Sequence, residues 1–113
     1  MSALQEFRTR LNSDTFNFAE TLEFIASQYH YQPSAFSNGG VENAAGQNEG
    51  SCKVLGLALL EELSDDEALR CFGEHYRSVL ATPEGSDHAN IRALMVHGLR
   101  AVKFAQQPLS RSR

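Results

Sequence analysis

The sequence predicts a mainly helical α+β fold, a single domain of about five helices with a small two-stranded antiparallel sheet. Three observations lead there. Capping residues recur ahead of runs whose apolar residues return at helical intervals. Two segments of strand character, 30–36 and 100–106, lie far apart in the chain, and strands so short satisfy their backbone groups only by pairing. At 113 residues, 42% of them hydrophobic, the chain has the size of one domain and needs neither a metal nor a disulfide framework to fold.

Ser2 and Gln5 stand at capping-box spacing, and Leu4, Phe7 and Leu11 follow at helical intervals, predicting a helix over 3–12. Asn17 and Glu20 repeat that logic for a helix over 18–29 with Phe18, Leu22, Ile25 and Tyr29 on one stripe, which must stop before Pro33. His30 to Phe36 is aromatic-rich and holds a proline, as an edge strand does, and Ser37 to Gly40 is a turn. From Val41 to Gly50 the chain is polar, Gly/Asn-rich and without apolar period, so it reads as an ordered loop or distorted turn. Ser51 is placed to cap a helix from Cys52 to about Leu63 that is apolar almost all round and therefore belongs at the centre of the core.

Ser64-Asp-Asp-Glu67 is a capping box with acids in the first turn, opening a helix to about Leu80 that is expected to bury Leu69, Phe72, Tyr76 and Leu80. Pro83-Glu-Gly85 turns the chain. Ser86 or Asp87 caps a last helix to about His97, which Gly98 ends. Val102 and Phe104 alternate with Lys103, giving the second strand. The domain is expected over 1–107, with 108–113 as a flexible basic tail. No internal repeat is present.

Fourteen acidic against ten basic residues give a net charge of -4, which argues against a general DNA or RNA binder. The longest apolar stretch, Val54–Leu60, has seven residues, far below the ~20 a membrane-spanning helix needs, so no membrane partner is expected. Two isolated cysteines and an N-terminus without an apolar signal segment point to a reducing cytosol.

The chemistry concentrates at two places. The loop Gly46-Gln-Asn-Glu-Gly50 runs into a helix start with Lys53 in its first turn, an arrangement suited to a small anion. It is not a Walker P-loop, because Ser-Cys-Lys follows the second glycine where Lys-Ser/Thr is required. The plainer reading has the glycines shaping a tight loop whose backbone Asn43, Asn48 and Glu49 hydrogen-bond. Cys52 at a helix N-terminus could be a nucleophile if His88, oriented by Asp87, met it, or simply a small core residue. Glu42, Glu49, His75, Asp87 and His88 suffice in number for a metal but lack zinc-site spacing, so neither metal nor other cofactor is expected. His75-Tyr76 reads more simply as a tether between helices. The candidate ligand-binding set is Glu42, Asn43, Asn48, Glu49, Cys52, Lys53, Asp87 and His88; no catalytic residue is assigned.

Four segments in order, Pro33–Gly39, Asn43–Lys53, Cys71-Phe72-Gly73 with Tyr76-Arg77, and Pro83–Arg92, together resemble the HopJ type III effector family over about residues 16–104. One departure is Gly98-Leu99, where the family tends to have Gly-Trp. The resemblance implies a small bacterial protein, cytoplasmic and, where a type III apparatus exists, delivered into host cells. The function expected is that of a binding module for a polar small molecule or a protein partner, acting through the 42–53 loop and the 87–92 helix start. The alternative is a small cysteine- or metal-dependent enzyme with Cys52, Asp87 and His88 in one cleft.

Overall fold

The computed structural model describes residues 2–112. Helix α1 (Ala3–Arg10) and helix α2 (Phe18–Gln28) both open on the expected capping boxes, Ser2 with Gln5 and Asn17 with Glu20. Their facing aromatics join them: the Phe7 and Phe24 rings stack with centroids 4.3 Å apart, and Phe16 meets Phe7 edge-on. Helix α3 (Glu49–Leu60) runs through the centre, burying Cys52 and every residue from Val54 to Ala58. Its all-round apolarity is thus explained, since neighbours surround it.

The helix expected over 64–80 is two. Ser64 and Glu67 cap α4 (Asp65–Arg70) as the sequence indicates, but a turn at Gly73 separates it from α5 (Glu74–Ala81). Gly73 sits at φ +57, and a Cβ there would come within 2.5 Å of the Phe18 backbone nitrogen. The break lets the start of α2 pack directly against the chain, which a continuous helix would forbid. Helix α6 (Ala89–His97) begins after His88 rather than at a Ser86 or Asp87 cap, and Gly98 ends it, at φ 74 and ψ 176 rather than in the left-handed helical conformation expected of a terminating glycine.

The two expected strand regions do pair, but the sheet structure is richer than one two-stranded ladder. Residues 30–36 split into β1 (Tyr29–Tyr31) and β2 (Phe36–Asn38) around Pro33, which has no N–H to give a ladder. The central strand of a three-stranded antiparallel sheet is β2, between β3 (Val41–Asn43) and β4 (Val102–Phe104), with Phe36 opposite both Asn43 and Phe104. The second sheet pairs β1 with β5 (Leu109–Arg111).

That second sheet overturns the expectation of a frayed end for residues 108–112; Arg113 lies outside the described residues. Pro108 and Leu109 are buried against α3, where Gly56 leaves room: a Cβ there would come within 2.5 Å of the Pro108 ring. Gln32 N–H donates to the Pro108 carbonyl at 2.8 Å, and the Arg111 guanidinium donates to Glu61 at 2.8 Å. Arg111, one of the basic residues of that end, is thus paired with an internal acid. Among the described residues no helix is long and apolar enough to cross a membrane.

Candidate functional site

Strand β3 delivers the polar block to α3 through a short turn, and buried amides fix that turn. Asn43 is buried at the end of β3, and its Oδ1 accepts from Asn48 Nδ2 at 2.6 Å and from Asn90 Nδ2 at 3.0 Å. Asn38, fully buried on β2, donates to the carbonyl and side-chain oxygens of Asn90 at 2.9 and 3.1 Å. Four amides therefore tie β2, β3 and the starts of α3 and α6 together through hydrogen bonds that offset the cost of leaving water, although Asn38 Oδ1 is buried without a partner among the described residues.

The two helix starts are built alike. Asn48 at φ 52, ψ 52 and His88 at φ 53, ψ 51 are both left-handed, and neither side chain caps the helix that follows. The first N–H groups of a helix have no partner within it, so both starts present donors and partial positive charge. Both open onto one cleft of about 330 Å³, lined by Asn48, Gly50 and Ser51 on one side and His88 to Ile91 on the other. Its remaining wall comes from Phe18, Phe72 and His75.

Two imidazoles meet in this cleft, with ring centroids 5.2 Å apart, and His75 also packs edge-on against Phe18. Asp87 Oδ2 lies 3.9 Å from His88 Nε2, while Oδ1 of the same carboxylate accepts from Arg92 at 2.6 Å. That hydrogen bond from Arg92 holds the Asp87 carboxyl below its ordinary range. Glu74, first residue of α5, accepts from the Phe18 N–H at 2.7 Å, which likewise lowers its pKa and ties it to α2.

Of the eight expected ligand-binding residues, Asn48 and His88 line the cleft and Asn43 supports it from beneath. The other five are turned elsewhere. Glu49 accepts from the Tyr31 hydroxyl at 2.9 Å, and Lys53 lies over the Tyr31 ring at 4.8 Å, so both serve β1. Burial, with the Glu49 hydrogen bond second, pushes the Tyr31 pKa upward and keeps the phenol a donor. Glu42 is exposed on β3. Asp87 is clamped by Arg92, and Cys52 is buried at 1% exposure with Sγ 3.7 Å from the Ser34 carbonyl.

The enzyme alternative that joined Cys52 to Asp87 and His88 in one cleft is therefore not what the fold builds. Position 52 falls on the inward face of α3, whereas Gly50 and Ser51 face the cleft. Cys71 is also buried, and loss of solvation pushes its thiol pKa upward. His75, read from sequence as a tether between helices, packs on Phe18 of α2 and is a cleft residue as well; nothing in its own segment marks the second role, because Gly73 redirects the chain just before it.

A family model described as HopJ type III effector protein matches residues 4–109. The chain belongs to this family. The chain is also similar to a protein of solved structure, VPA0580, described as of unknown function. The two share 39% sequence identity with a TM-score of 0.91, over 99% of this chain and 95% of that one. No curated protein is significantly similar to it. The HopJ match runs past β4 and ends at Leu109, the first residue of β5.

Proposed function

We propose that this HopJ-family protein is a binding module that takes a small anionic ligand in the cleft between the starts of α3 and α6. The observation that carries the reading is the convergence of two uncapped helix starts on one cleft that also holds two imidazoles. Each start contributes about 0.3 to 1 kcal/mol toward a nearby negative charge when exposed, and up to about 2 when partly shielded. Imidazole N–H groups add directional donors, and Phe18, Phe72 and Ile91 give an apolar wall for the organic part of a ligand. The amide network holds both starts in place before any ligand arrives, so little ordering cost remains on binding.

The test is a titration of the full chain with inorganic phosphate, sulfate and simple organic phosphates, followed by amide chemical shifts. Shifts centred on Gly50, Ser51, Ala89 and Asn90 that weaken in His88→Gly support the reading. Uniform or absent shifts at millimolar anion overturn it. The family description further supports delivery into a host cell where a type III apparatus is present. A reporter fusion that enters host cells only when that apparatus is intact checks this point.

A further inference from the structure

A second cleft, of about 240 Å³, lies on the opposite side of α5 between that helix and the 11–16 loop. We propose that it is a site for a free apolar α-amino acid. Both signs of charge line it, Arg70 and Arg77 on one hand and Asp14 on the other. Among the described residues Asp14 forms no ion pair with either arginine. Opposite charges that share so small a cleft without meeting are complementary to a ligand that carries both.

The groups are held ready. Arg77 donates through Nη1 to the Phe16 carbonyl at 2.8 Å, which anchors the guanidinium and leaves its other N–H groups to a ligand. Arg70 gives its Nε to Asp66 at 2.8 Å, so its terminal nitrogens remain available. Glu74, the acid nearest Arg77 on α5, is already occupied by the Phe18 N–H. The loop that carries Asp14 is fixed by its own bonds: Phe16 N–H to the Ser13 carbonyl at 3.2 Å and Thr15 N–H to Ser13 Oγ at 3.2 Å.

Leu11 and Phe16, each 2% exposed, close the floor, and the apolar surface open to a ligand is that of Tyr76 and Leu80 on α5. A ligand carboxylate suits a guanidinium through paired, charge-assisted hydrogen bonds. Its ammonium lies toward Asp14, and an apolar side chain covers that apolar surface. The volume is below the roughly 300 Å³ at which sites for drug-sized ligands begin, which fits a small metabolite. A simple anion is opposed by Asp14 and a simple amine by the two arginines, so the site discriminates against either half alone.

The experiment presents the full chain with each of the twenty L-amino acids at millimolar concentration, reading amide shifts and melting temperature. Expected are shifts at Asp14, Phe16, Tyr76 and Arg77 with an apolar amino acid, without movement at Gly50 or Ala89. Asp14→Asn and Arg77→Met should each weaken binding by about tenfold or more, the loss of one charge-assisted contact. Since Arg77→Met also frees the Phe16 carbonyl and could loosen the loop, Asp14→Asn, on an exposed residue, is the deciding variant. No amino acid shifting these amides, equal binding of the deaminated acid, or unchanged affinity in Asp14→Asn would overturn the proposal.

Discussion

Asn43 and His88 sit about one cleft and do opposite work. Asn43 is an acceptor for two other side-chain amides; Asn43→Ala strands the buried Asn90, whereas the exposed Asn48 regains water, so the fold should lose about 1 to 3 kcal/mol. His88 is exposed and holds a left-handed backbone conformation that disfavours side chains. Replacing it by glycine removes the imidazole and relieves that conformation, so His88→Gly should leave stability equal or raised by up to about 1 kcal/mol while binding of the anion weakens. Urea melts of the two variants check the contrast: a neutral Asn43→Ala would mean that the network is not holding the helix starts.

At the scale of elements, α1 and α4 are joined by an ion pair that also serves a cap. Arg8 grips Glu67 with both ends of its fork, at 2.7 and 2.8 Å, while Glu67 Oε1 accepts from the Ser64 N–H at 2.9 Å. The Arg8 hydrogen bonds hold the Glu67 carboxyl below its ordinary value of 4.5, against the effect of burial. A carboxyl lowered in the folded state stabilises fully above its unfolded value and loses that contribution as pH falls through the folded one. Stability should therefore drop below about pH 4.5, and because the pair is partly exposed its share is about 1 kcal/mol or less. Glu67→Gln should show a correspondingly shallower loss between pH 7 and pH 3 in denaturant melts, and an identical pH profile would remove the pair from the account.

For the whole molecule, the join between its early and late parts matters most. The β1 strand pairs with β5 and β2 with β4, so segments near residue 30 are held by segments beyond residue 100. Truncation after Gln107 removes β5, uncovers α3 at Gly56 and leaves Glu61 without Arg111. Burial of Leu109 alone contributes about 1.5 to 3 kcal/mol, so the melting temperature should fall by roughly 10 °C or more. An unchanged melt would restore the reading of a frayed tail.

Much of this architecture was legible in the residues themselves. Ser2, Asn17 and Ser64 are local signals, satisfied by groups three residues away, and each opens its helix where the sequence places it. The all-round apolarity of α3 marks it as central, because only a helix surrounded by protein can be apolar on every face. What stayed hidden depends on partners far along the chain. Gly73 breaks a helix because Phe18 must pass close to it, and Leu109 becomes a strand because Tyr31 pairs with it while Gly56 leaves room for the neighbouring Pro108. The polar block was recognisable as unusual, and Asn48 and His88 as members of one site. Which of the eight candidates face the cleft was decided only when the turns at Asn48 and His88 set the phase of the two helices. Glu49, Cys52 and Lys53 are consecutive or nearly so with Gly50 and Ser51, yet a helix turns about 100° per residue, and tertiary packing alone chooses which direction is inward.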